Sequence, residues 1–180
     1  GLIKGWDQKV TDFFPELKGE YATELTLRNL STMTAGLTYN EHYTHPFDIT
    51  AKTYYGPDVW DLMLDEVPVS KKPGTFEYQS GATQLLGMVL IKATGKHLAD
   101  YASEKLWKPL GAEHEAKWHL DSDMGTEISF CCFNSNAKDF ARFGQLMLLH
   151  GKWNGQQILD SSFVHTATQP FAVPYYGHGF

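Results

Sequence analysis

The stretch that decides the fold is "PGTFEYQSGATQLLGMVLIKATGKHLADY", residues 73–101. Apolar residues between positions 82 and 93 form a stripe along one face of a predicted helix. Met88 and Ile91 add apolar groups outside this stripe, so we expect a central helix that is buried on most sides. Gly95 predicts the end of that helix, and a second helix is expected from about His97 to Trp107. The stripe on the first of these helices has the i, i+3, i+4, i+7 spacing of a helix face. It consists of Ala82, Leu85, Leu86, Val89, Leu90 and Ala93.

Capping signals place other helices around this one. Thr26 is expected to cap a helix in "LTLRNLSTMTAGL" that ends at Gly36, and Pro57 suits the first position of another. Ser135 or Asn136 is a natural cap for a later helix, and Asp160 or Ser161 for the last. Asp139 and Arg142 lie three residues apart there and are expected to pair in a structural role, with a weak effect if the pair is exposed.

Strand-like alternation is scarce along the chain. Asn154-Gly155 predicts one tight turn, and residues 38–56 are interpreted as irregular. The prediction is a mostly α fold in which residues 1–180 form one helical domain with at most short strands or hairpins.

Composition excludes several classes of partner. The 180 residues carry 15 Lys and Arg against 21 Asp and Glu, and no basic run occurs, so nucleic acid and anionic membrane surfaces are not expected partners. No apolar run reaches 18 residues, so no membrane span is predicted. Cys131 and Cys132 are the only cysteines. Because bonding adjacent cysteines strains the backbone, they are interpreted as two small buried hydrophobic residues and not as a redox or metal pair.

Four ordered segments resemble the penicillin-recognising serine hydrolases, which include class C β-lactamases, DD-peptidases and related esterases. The segments are "LTLRNLSTMTAGL", "PGTFEYQSGATQLLGMVLIKATGKHLADYASEKLWKPLGA", "FNSNAKDFARFGQLMLLHGKWNGQQIL" and "YYGHGF". The resemblance implies acyl transfer to a serine without metal or other cofactor. It implies a small acyl substrate that is an ester, an amide or a β-lactam.

Tyr78-Gln79-Ser80 resembles the family's second motif, Tyr-x-Asn or Tyr-x-Ser. The resemblance implies that Tyr78 takes the proton of the nucleophilic serine and returns it to the leaving group, helped by a lysine ammonium. Ser80 would lie on the same side and hydrogen-bond the lysine or the substrate, while Gln79 points away. Members that hydrolyse β-lactams often carry Asn where Ser80 stands, so the substrate class stays open.

The family's Ser-x-x-Lys motif does not precede Tyr78 in this sequence. Ser135-Asn136-Ala137-Lys138 has the right spacing but follows the tyrosine motif, so we interpret Ser135 as a helix cap and leave a catalytic role as the alternative. "GHGF" at 177–180 is expected to precede the family's third motif. The chain is therefore interpreted as a helical-domain fragment that is inactive by itself. In the family an α/β sheet domain packs against this helical domain. The resemblance therefore implies an exposed apolar surface where the sheet would lie, and this surface is expected to promote self-association.

The loop of residues 39–55 is expected to border the cleft, with Tyr39, Tyr54 and Tyr55 contacting substrate. Packing of these rings under the loop is the equal alternative. His42 and His45 form a His-x-x-His pair without an evident third ligand, so no metal site is predicted. The resemblance implies a parent enzyme that works in the periplasm or is secreted. The alternative from another class is a non-catalytic binding or scaffold module that keeps the helical shell.

Overall fold

The computed structural model describes residues 2–41 and 45–180 and consists mainly of short α-helices joined by long loops. Two antiparallel pairs, β1 (Lys117–Trp118) with β2 (Phe133–Asn134) and β3 (Lys152–Trp153) with β4 (Gln156–Gln157), are the described sheets. None of the described helices is both long and apolar enough to cross a bilayer. The helices are α1 (Leu27–Ser31), α2 (Ile49–Tyr55), α3 (Val59–Asp65), α4 (Ser80–Thr94), α5 (Leu98–Ala102), α6 (Ala137–Leu148) and α7 (Ser161–Thr168). The mostly α prediction is confirmed.

Helix α4 is the centre of the core, as its apolar periodicity predicts. It contacts α1, α3 and α5, and most of its first ten residues are buried. A Cβ atom at Gly81 would lie 2.5 Å from the Tyr39 ring, and one at Gly87 would lie 2.5 Å from the Ser129 hydroxyl. Gly95 ends the helix in the left-handed conformation at φ 66°. The two inner glycines therefore permit close packing on α4, and the predicted end of the helix is confirmed.

The predicted caps are mostly confirmed, whereas two helix lengths differ. The Thr26 side chain accepts a hydrogen bond from the Asn29 backbone, but α1 ends at Ser31 because Met33 takes a positive φ of 56° and turns the chain well before Gly36. Asn136 and Asp160 cap α6 and α7. Helix α3 begins after Asp58, which caps it, and not at Pro57.

Helix α2 occupies part of the segment that we expected to be irregular, so that prediction is wrong for residues 49–55. Asp48 caps it, because its Oδ1 accepts a hydrogen bond of 2.8 Å from the Ala51 backbone N–H. Thr53 lies on the inner side and is buried. The cap and the burial together stabilise a helix whose β-branched and aromatic residues have low intrinsic helix propensity.

Asp139 pairs with Arg142, as expected, and it is buried. Its carboxylate also accepts the backbone N–H groups of Glu113 (3.0 Å) and His114 (3.1 Å), which joins α6 to the turn after α5. Burial alone would raise the pKa of Asp139, but these hydrogen bonds, together with Asn136 and Arg142, hold it well below its usual range.

We expect Asp139→Asn to lower the melting temperature at pH 7 by on the order of 5 °C or more, because the backbone donors and Arg142 lose a buried anion. A lowered folded-state pKa contributes stability that is fully present above the unfolded value near about pH 4 and is lost as pH falls toward the folded value. The difference between variant and wild type should therefore shrink as pH falls below about 4. Thermal melts across this range measure it. Asp123→Asn, at an exposed carboxylate, is the control. A difference that is independent of pH would contradict the assignment.

Candidate functional site

The tyrosine motif opens onto a cleft with a volume of about 780 Å³ at the N-terminal end of α4. One wall is the loop before α2 together with α2 itself, the floor is the tyrosine motif, and a second wall is the segment before β2. The described lining residues are His45, Pro46, Asp48, Thr50, Ala51, Tyr54, Tyr55, Tyr78, Ser80, Phe130, Cys131 and Cys132. A cleft of this size and mixed character suits a small organic substrate.

Tyr78 stands on the floor of the cleft with 56% of its surface exposed. Its ring meets the edge of Tyr176 at a centroid distance of 6.2 Å. Burial, and then the charge that Tyr78 carries when ionised, raise the pKa of Tyr176. Tyr176 therefore supports the Tyr78 ring from behind as a neutral group. Tyr78 lines the cleft, so a substrate in the cleft can contact this residue.

The two residues after Tyr78 fix the motif to the core. Gln79 is buried, and its Nε2 donates to the carbonyls of Leu37 (2.9 Å) and Tyr39 (3.2 Å). Ser80 begins α4, and its backbone N–H donates to Glu41 Oε1 at 2.7 Å. The carboxylate thereby satisfies a free N–H at the positive end of the helix. Gln79 points inward, as expected, and Ser80 shares the cleft with Tyr78.

The three tyrosines that we expected to contact substrate separate into two groups. Tyr54 and Tyr55 line the cleft, and Tyr54 stacks on His119 at a centroid distance of 5.0 Å. Tyr39 is 1% exposed, and its hydroxyl donates to Thr53 at 3.2 Å. Its ring packs on Gly81 inside the core, so the expectation for Tyr39 is corrected to a structural position.

The second wall carries a disulfide between Cys131 and Cys132, so our interpretation of two unbonded residues is wrong. Cys132 adopts a positive φ of 69°, a turn that brings the two side chains together. Helix α4 holds the segment before this turn, because Gln84 Nε2 donates to the Glu127 carbonyl (3.1 Å) and its Oε1 accepts from the Ser129 N–H (2.8 Å). The same helix therefore positions both the tyrosine motif and the disulfide wall.

Two polar side chains that line the cleft have atoms without a partner in the described chain. The second carboxylate oxygen of Asp48, Oδ2, is buried and accepts no hydrogen bond there. Thr50 is 7% exposed, and its hydroxyl is likewise unpaired within residues 2–41 and 45–180. Buried polar groups are rarely left unsatisfied, which makes this pair a candidate binding position for a ligand donor. No motif in the sequence pointed to it. An aspartate before an apolar residue was the available signal, and it marks the cap of α2.

The other candidates from the sequence lie elsewhere. Asn136 caps α6, while the Ser135 hydroxyl is buried without a described partner and Lys138 binds Glu113 at 2.8 Å. His178 is buried against the Ser31 hydroxyl at 2.7 Å, and neither Ser135 nor His178 lines the cleft. His42, one half of the His-x-x-His pair, lies outside the described residues.

Comparison with known proteins gives one consistent relationship. Residues 4–180 match the family described as beta-lactamase. The 6-aminohexanoate-dimer hydrolase of Paenarthrobacter ureafaciens is 25% identical over 170 residues, which is 88% of this chain and 43% of that protein. A solved structure assigned as a 6-aminohexanoate-dimer hydrolase, from Bacillus anthracis, is 28% identical with a TM-score of 0.81 and is matched over 99% of this chain and 52% of its own.

A penicillin-binding protein from Bacillus halodurans shares the fold with a TM-score of 0.70 at 18% identity, over 97% of this chain and 61% of its own. The chain spans about half the length of the relatives that it matches.

Proposed function

The chain belongs to the beta-lactamase family. On that premise we propose that residues 1–180 form a helical domain that supplies the tyrosine motif to the active site of a serine hydrolase. The hydrolase acts by acyl transfer through a serine ester. The observation that carries the proposal is Tyr78, which is half exposed on the floor of a cleft of about 780 Å³ beside Ser80. Tyr78 is the proposed proton acceptor and donor for the nucleophile, and Ser80 the proposed hydrogen-bonding partner.

The nucleophile is proposed to come from outside residues 1–180. Ser135 does not line the cleft, and Lys138 is engaged by Glu113. Ser80 is assigned to hydrogen bonding, so without a separate nucleophilic serine beside Tyr78 the covalent intermediate cannot form, and we expect these residues by themselves to be inactive.

A serine-reactive fluorophosphonate probe tests the proposal on the intact protein, by which we mean residues 1–180 together with the part that is proposed to supply the nucleophile. The expected result is a covalent adduct on one serine, found by peptide mass spectrometry, together with hydrolysis of p-nitrophenyl esters or anilides. An adduct on Ser135 would support the alternative reading of that segment. The absence of both adduct and turnover would favour the non-catalytic binding or scaffold module.

The cleft favours a substrate with a nitrogen donor. Asp48 and Thr50 offer buried acceptors that lack partners in the described chain, and such acceptors bind N–H or ammonium groups. The similarity to a 6-aminohexanoate-dimer hydrolase supports the same class, because that name describes a dimer of an amino acid. We therefore propose an amide or ester whose acyl part carries an amino group.

We expect Asp48→Asn to raise KM for aminoacyl p-nitroanilides by about ten- to a hundredfold, the value of a buried charge-assisted hydrogen bond. Asparagine keeps the cap of α2, so the fold should be preserved. Steady-state kinetics with the aminoacyl substrate and with its analogue that lacks the amino group measure the effect. An equal change for both substrates would contradict a role in binding the amine.

Self-association stays a prediction. Phe171, Tyr175 and Phe180 are large exposed side chains near the end of the described chain, and apolar groups of this kind favour association. Light scattering of the intact protein gives the oligomeric state.

A further inference from the structure

The disulfide between adjacent cysteines lines the same cleft as Tyr54 and Tyr55. We propose that this disulfide is a specificity-determining surface that packs against the apolar part of the acyl substrate, an inference that rests on the proposed hydrolase function. Opening the disulfide to two thiols removes that surface.

A structural role does not account for the bond. A disulfide stabilises a fold chiefly by closing a loop in the unfolded chain, and its effect grows with the length of that loop. Cys131 and Cys132 are neighbours in sequence, so their bond closes no intervening loop. Its main effect is local, because it fixes the dihedral angles of one turn and the direction of two side chains.

The surrounding hydrogen bonds hold the backbone of this turn. The Trp118 indole N–H donates to the Cys131 carbonyl at 3.0 Å. The Cys132 carbonyl accepts the Asn134 side-chain amide at 2.8 Å and the His119 backbone N–H at 3.3 Å. Both carbonyl groups are therefore engaged by the protein, which leaves the disulfide among the groups of this turn that a ligand in the cleft can contact.

The chemistry of the cleft matches a flat or aliphatic substrate group. Tyr54 and Tyr55 line the cleft together with the disulfide, and Phe130 precedes Cys131 in the same lining segment. Sulfur atoms are polarisable and make favourable contacts with aromatic rings. An apolar acyl group in this cleft would contact aromatic rings and the disulfide, while Asp48 takes the polar end.

Reduction by dithiothreitol provides the test. One thiolate of the reagent attacks one sulfur, the Cys131–Cys132 bond breaks, and the other cysteine leaves as a thiolate. The second thiol of the reagent then displaces the first cysteine. Two electrons and two protons pass to the protein, and the reagent becomes a cyclic disulfide.

We expect reduction of the intact protein to raise KM for p-nitrophenyl phenylacetate by about tenfold, the effect of removing apolar contacts from a substrate pocket. The kcat for p-nitrophenyl acetate, which has no group to reach the wall, should change less than about twofold. The C131S/C132S variant should match the reduced protein, and dithiothreitol should leave it unchanged. Equal KM for the oxidised and reduced proteins would overturn the inference.

A second measurement does not depend on hydrolysis. Benzylacetone has an apolar group and no scissile ester, and it should slow reduction of the disulfide several-fold. The extent of reduction is measured by alkylating the free thiols and weighing the protein by mass spectrometry. Unchanged reduction rates, or two free thiols in protein purified without reductant, would also overturn the inference. Slowed reduction in a protein that hydrolyses none of the substrates would contradict the proposed function but still support binding of an apolar group at the disulfide.

Discussion

Replacing Tyr78 by phenylalanine in the intact protein is expected to lower kcat by about a hundred- to ten-thousand-fold, the range for loss of a positioned acid–base group. The ring would remain, because its edge contact with Tyr176 and its place on the cleft floor do not depend on the hydroxyl. Only the atom that is proposed to accept and return the proton is lost. Pre-steady-state hydrolysis of a p-nitrophenyl ester measures the rate at which the serine is acylated.

Tyr176→Phe is the matched control for this prediction. It removes a hydroxyl from the ring that supports Tyr78, and Tyr176 does not line the cleft. We expect its kcat to stay within about threefold of wild type, since only the environment of the Tyr78 ring changes. A Tyr78→Phe variant that keeps more than a tenth of the wild-type rate, with an unchanged melting temperature, would remove Tyr78 from the proposed mechanism.

The parts of the fold that the sequence predicted are those set by local pattern. Helix α4 carries apolar residues around most of its circumference, so its position follows from periodicity. It ends at a glycine in the left-handed conformation, which follows from the tolerance of glycine for positive φ. Asn136 and Asp160 were recognisable as caps because short polar side chains before helical segments satisfy free backbone N–H groups.

The parts that sequence did not predict depend on contacts between distant segments. Helix α2 has Thr and Tyr at positions where propensity favours strands, and it forms because Asp48 caps it and Thr53 is buried against the core. Tyr39 was grouped with the cleft tyrosines because it is close to them in sequence, but its ring fills the space above Gly81. A position on a loop does not reveal which side chains turn inward.

The disulfide shows the same limit in the candidate site. Whether two adjacent cysteines bond depends on one backbone turn, which here is held by Trp118, His119 and Asn134. No residue spacing encodes that turn. The unpaired oxygens of Asp48 and Thr50 are equally invisible in sequence, because an unsatisfied group is defined by its surroundings.

The second large effect is expected at Gln79, where the motif meets the core. Gln79→Ala should destabilise the protein by roughly 2–4 kcal/mol, because it opens a cavity and removes donors from the Leu37 and Tyr39 carbonyls. Activity should fall as well, since the residue before Gln79 is Tyr78 and the residue after it starts α4. Denaturant melts and ester kinetics on the same preparations measure both effects.

Gln79→Met separates the two causes, because methionine keeps most of the volume and donates no hydrogen bond. Gln79 Oε1 is buried and has no partner in the described chain, so its removal in either variant costs nothing in lost hydrogen bonds there. If packing alone holds the motif, methionine should restore stability and kcat together. If the two donated hydrogen bonds hold it, methionine should recover part of the stability, while kcat stays low because the loop that carries Tyr78 is no longer tied to the Leu37–Tyr39 backbone. Wild-type stability in both variants would contradict any anchoring role for Gln79.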